Sequence, residues 1–511
     1  MYAPVVLWFQ PAGAHPAGRG NLRMMRGIWF VLAVSFGVAV AGVGLAACGS
    51  SPAKVVASPD AGDATAEGAV VEAEVDTGPD INQNPDVYPA NHHPIPQLNY
   101  NGGPVLHHAR VVTVTFTGNV HREGFRYFDH FIVTSGWWKQ TVETFCVDAG
   151  PSAGCLGDGT AGAPDGGAWR PDGSTADGGD GFLDVELGYD LPGAAILDSD
   201  VQTWLGGHIV AGDFPAPDDQ TIYAIYFPTT TSVSYVDPNS GQVQTSCQQF
   251  LGYHGSIAPG SPSAGTAYAV LPYCTFGIGD AFDYQTLILT ASHELAEGAT
   301  DPQVSQSTAF ALDVGNDPWL AQQGIVGEGA ECADMCANVS TSGLFVGGGD
   351  EPYNESGYNV TRIWSSRAAA QSMNPCQPWA TTYFGAALRT QVQTIPTTEQ
   401  LPAHPSDGYV FVKRGQSVDV IADVFAQARL PHDLLLYAGT PRQGATDPSD
   451  LVAPADLITV AFSQHQVNNG DGVVVTFSAS AKSIAGPYWM VIRSVLEQSD
   501  YNDWPVIVWV Q

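Results

Sequence analysis

The sequence predicts an α+β domain with a central sheet, followed by a separate all-β sandwich. Apolar runs suited to buried strands cover residues 111–116, 221–227 and 266–271. A mostly apolar segment, 287–302, ends at a Gly and a Pro and predicts one buried helix. From about residue 386 the chain contains short alternating strands separated by turns, a pattern typical of a β-sandwich.

The N-terminal segment has the features of an export signal. Residues 1–23 are interpreted as an upstream extension, and residues 24–47 as a signal peptide in which a short basic stretch precedes an apolar run. The Cys that follows predicts lipid attachment at Cys48, and Gly49 does not resemble an inner-membrane retention signal. A retained transmembrane helix is the alternative, but no basic stop-transfer cluster follows the run. We therefore expect an extracytoplasmic lipoprotein at the outer membrane or cell surface.

A linker is predicted between the lipid and the folded domains. Residues 48–95 begin with the lipidated Cys and are then rich in Ala, Pro, Asp, Glu and Gly, a composition that predicts a disordered acidic tether. The formal net charge of the chain is -33. Such a charge repels nucleic acid and anionic headgroups, so the lipid is the only membrane attachment we expect, and no nucleic acid partner.

The folded part divides into two predicted domains. The first, 96–383, has the apolar strands named above and a helix over 125–145. The second, 384–511, has a turn at 468–472 between strands, and its end at 486–492 resembles the close of immunoglobulin-like modules. Its predicted strands are Ser417–Ala422, Val473–Phe477, Tyr488–Ile492 and Val506–Val510.

Seven cysteines remain after Cys48, and in an oxidising compartment such thiols pair. Proximity in the chain favours three disulfides and leaves Cys332 single. A zinc–thiolate site is the alternative, but Cys332 has no second close Cys pair nearby. The favoured disulfides are Cys146–Cys155, Cys247–Cys274 and Cys336–Cys376.

The buried helix contains a cluster of polar residues, His293-Glu294-Leu295-Ala296-Glu297. His293 and Glu297 are four residues apart, so both side chains lie on one helix face and can reach one ion. This is the pattern of the H-E-x-x-H metalloprotease helix with Glu in place of the second His. Glu294 then takes the position of the general base that accepts a proton from water.

A catalytic zinc takes three protein ligands, so a third must come from elsewhere in the chain. Glu331 is the expected third ligand, and Asp334 is expected to support His293 through the free ring N–H. This Glu-then-Asp arrangement is similar to that of the gluzincin metalloproteases. Glu328 and Asp301 are weaker substitutes, and His254 is a further candidate, as a ligand or as a donor to a transition-state oxyanion.

The expected cofactor is one divalent metal ion. Zinc is favoured by the helix pattern. One His and two carboxylates would leave zinc without net positive charge, however, and an oxygen-rich set also suits manganese or calcium.

Several separated motifs follow one another in a fixed order over roughly residues 100–380. They are Gly103–Leu106, Tyr253-His254, Tyr268–Val270, His293–Glu297, Thr300–Pro302, Glu331–Cys336, Tyr358–Val360 and Arg362–Ser365. In this order they resemble the plant Exordium, or phosphate-induced, proteins and their secreted bacterial relatives. The Glu331–Cys336 segment is similar to a family Glu-Ile-Ala-Asp-Leu-Cys motif, with Cys332 at the Ile position. The resemblance implies an extracellular protein with a zincin-like helix.

Two functions remain open from the sequence, beside a third possibility, a metal-free relic in which Glu294 is turned away or forms a salt bridge. The first is a lipid-anchored metal-dependent hydrolase, a peptidase by preference, acting on a peptide or cell-wall polymer. The second is a non-catalytic surface protein with a structural metal, acting in adhesion or in cell-wall or carbohydrate binding. A catalytic site needs an open cleft beside His293, whereas a structural site is closed.

Overall fold

Most of the secondary structure in the computed structural model is β, with few helices. The structure describes residues 83–147, 153–160, 184–188, 191, 193–236, 242–304, 306–312, 331–336, 353–379, 381–390, 393–395, 404–406, 408–441, 451–452, 457–497 and 500–511. The predicted signal peptide and Cys48 lie outside these residues. Within them, no helix is both long and apolar enough to cross a membrane.

The first half of the described chain contains five helices that we label α1 to α5 and sixteen strands. Two short 3-10 turns, Val142–Thr144 and Asp334–Cys336, accompany them. The helices are α1 Arg122–Ile132, α2 Gly136–Gln140, α3 Asp198–Ala211, α4 Asp280–Thr300 and α5 Ser366–Ala370. The strands are β1 Asn99–Tyr100, β2 Arg110–Phe116, β3 Cys146–Val147, β4 Gly154–Cys155, β5 Asp184–Leu187, β6 Ala195–Leu197, β7 Thr221–Phe227, β8 Ser232–Val236, β9 Val243–Thr245, β10 Tyr253–Ser256, β11 Ala267–Pro272, β12 Phe310–Ala311, β13 Tyr353–Glu355, β14 Tyr358–Val360, β15 Ile363–Trp364 and β16 Cys376–Gln377.

The central sheet has the strand order β10-β11-β7-β2-β5. Strands β11, β7, β2 and β5 are parallel, and the edge strand β10 is antiparallel to β11. Alternate residues of β7 point to opposite faces. Ile222, Ala224 and Tyr226 join one hydrophobic core with residues of α1 and α4, while Tyr223 and Ile225 join a second core with residues of α3. Helices therefore cover both faces of the sheet.

The helix α4 packs closely against β7, β10 and β11. From Thr286 to its end, every residue of α4 is buried, as expected for a helix that is apolar on most sides. A Cβ atom on Gly298 would lie 2.4 Å from Cδ1 of Ile222, so any larger residue would force that side chain to shift. The sequence prediction of a buried helix is confirmed, and α4 begins seven residues earlier than predicted, at Asp280 rather than Leu287.

The predicted helix over residues 125–145 is wrong as a single element. The chain forms α1, then α2, then a 3-10 turn. Ser135 breaks the helix, because its hydroxyl donates to the Ile132 carbonyl oxygen and accepts a hydrogen bond from the Trp138 amide. This side chain therefore caps a new helix instead of continuing the old one.

The second half of the described chain contains twelve strands in two larger sheets and one small one. The four-stranded sheet has the order β17-β21-β26-β24, and the six-stranded sheet has the order β20-β28-β27-β22-β23 with β25 paired to β22. All four C-terminal strands predicted from alternation are present. The strands are β17 Phe384–Leu388, β18 Gln393–Ile395, β19 His404–Ser406, β20 Tyr409–Val412, β21 Ser417–Ala426, β22 Leu434–Pro441, β23 Leu451–Val452, β24 Ile458–Phe462, β25 Gln466–Val467, β26 Gly472–Ala479, β27 Gly486–Glu497 and β28 Asp500–Val510.

One hydrophobic core runs from the central sheet into the C-terminal sheets. Trp137 near the sheet, Phe384 at the predicted domain boundary and Phe425 of β21 all belong to it and are fully buried. The described residues accordingly belong to one compact unit.

The last part of the predicted linker, residues 83–95, contacts the C-terminal sheets. The Asn469 side chain donates to the carbonyl oxygens of Pro85 (3.0 Å) and Val87 (2.8 Å) and accepts from the Ala90 amide (3.1 Å). The ring of His92 stacks on Phe425 at 3.7 Å between centroids. The folded part of the chain therefore starts before residue 96.

The three predicted disulfides are present. Cys332 is a free, buried cysteine, as predicted. The pairs are Cys146–Cys155, Cys247–Cys274 and Cys336–Cys376.

Candidate metal centre

The helix α4 brings the imidazole of His293 and the carboxylate of Glu297 together. His293 Nε2 lies 3.1 Å from Glu297 Oε2. The other oxygen, Glu297 Oε1, accepts hydrogen bonds from the amides of Ala333 (3.1 Å) and Asp334 (2.9 Å). One oxygen of this carboxylate is thus held by backbone, and the other faces the histidine.

Asp334 approaches the same histidine nitrogen as Glu297. Its Oδ1 lies 3.5 Å from His293 Nε2, and single donor atoms of His293, Glu297 and Asp334 all lie within 4.8 Å of one another. From the sequence, we expected Asp334 to hydrogen-bond to the ring nitrogen of His293 that faces away from an ion. Its carboxylate instead lies beside Nε2, the nitrogen that also faces Glu297.

A second group of donors forms around His254 on the edge strand β10. His254 Nε2 lies 3.3 Å from Glu331 Oε1 and 3.1 Å from the carbonyl oxygen of Asp301. His254 Nδ1 lies 3.8 Å from Glu297 Oε2, and donor atoms of His254, Glu297 and Glu331 are all within 4.8 Å of one another. Glu331 therefore lies beside His254, and Glu297 is common to both groups.

Glu294, the expected general base, lies between the helix and β10. Its Oε2 is 3.4 Å from His254 Nδ1. Its Oε1 is buried and has no hydrogen-bond partner among the described residues. Burial raises the pKa of Glu294, and the neighbouring His254 opposes that rise. Gly252 leaves the space for this carboxylate, because a Cβ there would lie 3.0 Å from Glu294 Oε1.

The remaining candidates are placed as follows. Asp301 Oδ1 accepts a hydrogen bond from the Ala309 amide at 2.8 Å, and burial raises its pKa to about 7. Cys332 lies with Sγ 3.3 Å from the Thr300 hydroxyl, and burial raises its pKa. Glu328 lies outside the described residues.

The charged groups of the centre are buried. The exposed fraction is 1% for His293 and Glu294, 2% for Glu297, 4% for His254 and Glu331, and 6% for Asp334. Burial opposes protonation of both histidines, yet the carboxylates raise the pKa of each well above its ordinary value. Within the described chain the carboxylates of the centre form salt bridges with these two histidines only. Carboxylates therefore outnumber histidines in this buried centre.

This donor set fits a divalent metal ion. Imidazole and carboxylate groups are the ligands of zinc and manganese. Buried donor atoms without a hydrogen bond are costly unless they have another partner, and Glu294 Oε1, Asp334 Oδ2 and Asp301 Oδ2 are such atoms. Buried groups of His, Glu and Asp that could hold an ion are thus present, while the identity of the metal stays a prediction.

Two features of the centre were not anticipated from the sequence. One is the pairing of Glu331 with His254, and the other is the use of the Ala333 and Asp334 amides to hold Glu297. The order Glu331-Cys332-Ala333-Asp334 carries a partial signal, because it places two carboxylates close together in the chain just before and at the start of the 3-10 turn Asp334–Cys336.

Comparisons with known proteins do not assign the chain. No family model matches it, and no curated protein matches it. A nucleoside hydrolase-related hypothetical protein from Saccharophagus degradans is 10% identical, aligned over 79% of this chain and 100% of that one, with a TM-score of 0.18. The S-layer protein SbsC is 14% identical over 25% of this chain, with a TM-score of 0.14, and only 13% of its own length is covered. Likenesses at these scores carry no assignment of fold or function.

Proposed function

We propose that this chain is an exported, lipid-anchored metal-dependent hydrolase, with a peptide as the favoured substrate and a cell-wall polymer as the alternative. One observation carries the proposal. On α4, the carboxylate of Glu294 has one oxygen beside His254 and the other without a partner, next to the ligand candidates His293 and Glu297. A base with a free oxygen, adjacent to metal ligands, is the arrangement that hydrolysis requires.

Each residue has a distinct role in this proposal. His293, Glu297 and Asp334 would hold the ion, with Glu297 fixed by two backbone amides. A bound divalent ion supplies Lewis acidity, which polarises a carbonyl and makes water more acidic. Glu294 accepts the proton from water through its free Oε1, while His254 holds the orientation of its Oε2. Glu294 then returns the proton to the leaving amine.

The finer fold and location belong to the same proposal. We infer a zincin-like fold for the first half, supported by the motif helix α4 packed against a mixed sheet with an antiparallel edge strand. An immunoglobulin-like sandwich is inferred for the C-terminal sheets. The three disulfides support an extracytoplasmic location, and lipid attachment at Cys48 completes the proposal.

The test combines metal content with hydrolysis. The full chain, purified in detergent, is analysed by elemental mass spectrometry and assayed on a mixed peptide library beside three variants. We expect Glu297→Ala to lose the metal, Glu294→Gln to keep the metal and lose hydrolysis, and Glu123→Gln, an exposed glutamate of α1, to match the wild type. Hydrolysis that survives Glu294→Gln refutes the assigned base, and absence of bound metal refutes the whole proposal.

A structural metal is the second candidate, and one observation favours it. The side chains of the centre are at most 6% exposed, and closed sites are typical of structural metals. In that case the metal holds α4, β10 and the 331–336 segment together. Chelation then lowers the unfolding temperature, and the bound metal has no hydrolytic activity on peptides or wall polymers.

A further inference from the structure

The two donor groups of the centre meet at one carboxylate. Glu297 Oε2 lies 3.1 Å from His293 Nε2 and 3.8 Å from His254 Nδ1, and Asp334 and Glu331 complete the two groups. Each histidine has its own acidic partner, since His293 Nε2 faces Asp334 at 3.5 Å and His254 Nε2 faces Glu331 at 3.3 Å. Two complete sets of donors are therefore available, with one shared member.

We propose that this centre binds two divalent ions, with Glu297 between them. One ion takes His293, Glu297 and Asp334, and the other takes His254, Glu297 and Glu331. This inference rests on the proposed metal-dependent function and adds to it a second ion. It assigns Glu331 and His254 to a site separate from the one that His293 serves.

The charge of the centre supports a second ion. Five carboxylates, those of Glu294, Glu297, Asp301, Glu331 and Asp334, are buried together, and their salt bridges within the described chain are with histidines only. One divalent ion would match the charge of two ionised carboxylates, and two ions would match four. Uncompensated charge in a buried site is expensive, so the second ion stabilises the cluster.

The hydrogen bonds of His254 support its role as a ligand. A histidine that binds a metal through one ring nitrogen usually pairs its other nitrogen with a carboxylate. His254 Nδ1 lies 3.4 Å from Glu294 Oε2, while Nε2 faces Glu331. Glu331 Oε1 lies close to that nitrogen but does not form a hydrogen bond with it. This oxygen is buried and has no hydrogen-bond partner among the described residues. His254 Nε2 also lies 3.1 Å from the Asp301 carbonyl oxygen, so the imidazole would exchange that hydrogen bond for the ion. The unused donor atom of the second site is Glu331 Oε1.

The test uses manganese, because its spectrum reports the number of neighbouring ions. The full chain is freed of metal, loaded with Mn²⁺, desalted, and analysed by elemental mass spectrometry and electron paramagnetic resonance. We expect about two equivalents of manganese and an exchange-coupled spectrum, as bridged pairs give. His254→Gln and Glu331→Gln should each retain about one equivalent with an uncoupled six-line spectrum. His293→Gln and Asp334→Asn should also each retain only one of the two ions, the one held by His254, Glu297 and Glu331, with an uncoupled spectrum.

Folding is checked on the same samples by circular dichroism. Asp129→Asn is the matched control, because Asp129 is also buried but is bonded to Thr113 and Tyr226, outside the centre. It should keep both ions and the coupled spectrum.

One equivalent of uncoupled manganese in the wild type overturns the second ion. If that single ion is lost in His293→Gln and hydrolysis is present, the proposed function stands without this inference. If no manganese binds at all, both fail. A second equivalent that persists in both His254→Gln and Glu331→Gln places the other ion elsewhere and also overturns the assignment.

Discussion

Gly252 precedes β10 and lies against α4, so replacing it with alanine tests how the centre is packed. A Cβ at this position would lie 2.4 Å from Thr290 Cγ2 and 3.2 Å from Glu294 Cγ. Both contacts are shorter than the roughly 3.5–4.0 Å at which carbon atoms pack. Thr290 cannot easily turn away, because it is 1% exposed and its hydroxyl donates to the Thr286 carbonyl oxygen.

The expected cost follows from two opposing effects. Overpacking of a well-filled core costs about 1–3 kcal/mol. Alanine also restricts the unfolded chain, which offsets about 0.4–1 kcal/mol. The midpoints of these two ranges differ by about 1.3 kcal/mol, so Gly252→Ala should lower the free energy of unfolding by about that amount. Because Glu294 must move, hydrolysis should fall while the metal content is kept.

A second substitution identifies the clash. Thr290→Ser removes the methyl group but keeps the hydroxyl, and alone it should cost about 0.5–1.5 kcal/mol, like other single-methyl deletions. In the double variant the methyl group introduced at position 252 fills the space that is left, so the two costs should not add. Urea unfolding of the four proteins, in excess chelator and again with metal, measures the coupling. A Gly252→Ala cost below about 0.5 kcal/mol, with no rescue by Thr290→Ser, would refute the close packing.

Three further predictions concern the rest of the fold. Burial raises the pKa of Asp129 to about 7, so its ionisation destabilises the native state, and this penalty grows as pH rises from the unfolded value of 3.8 to about 7. Thermal unfolding from pH 5 to 8 should show Asp129→Asn gaining stability relative to the wild type with rising pH, by about 2.7 kcal/mol over this window; a flat difference contradicts this. Asn469→Ala removes the contacts to residues 85–90, so it should cost about 2–4 kcal/mol and speed proteolysis of that segment. Asn468→Ala, at the exposed neighbouring position, is the control. Equal proteolysis of both variants would show that the Asn469 side chain does not hold residues 85–90 in place. Replacing Cys336 and Cys376 with Ser should lower the free energy of unfolding by about 2–5 kcal/mol. It should also weaken metal retention in a chelator competition, because the disulfide holds the 331–336 segment in place. Unchanged retention would show that this segment keeps its position without the disulfide.

The strands and the motif helix could be predicted because their signals are local. The run Thr221–Phe227 is apolar after its first residue and buried throughout, as a strand covered on both faces requires. The alternation of Ser417–Ala422 correctly predicted a strand but not its burial, which is continuous from Val420 onward. The polar trio on α4 stood out because charged residues in an apolar helix need partners. The break at Ser135 was missed, since a single hydroxyl decided between one helix and two.

The ligand sets could be predicted only in part. The spacing of His293 and Glu297 predicts that their side chains lie on the same helix face, because both residues belong to one helix. Which of Glu331 and Asp334 faces which histidine depends on the path of the chain between distant elements, and spacing holds no information on that path. His254 was recognised as a candidate, but its partner Glu331 is contributed by a segment seventy-seven positions later in the chain, as their residue numbers show.

The contacts of residues 83–98 have a mechanical consequence. Asn469 and Phe425 of the C-terminal sheets hold this segment first, and only afterwards do the Pro96 carbonyl oxygen and the Leu98 amide bond to Trp364 and Ser366. Any tension applied from the N-terminal side would load the C-terminal sheets before it reached α4. Such tension would therefore strain the β-rich end of the protein first. The geometry of the candidate metal centre would stay undisturbed until the hydrogen bonds of Asn469 broke.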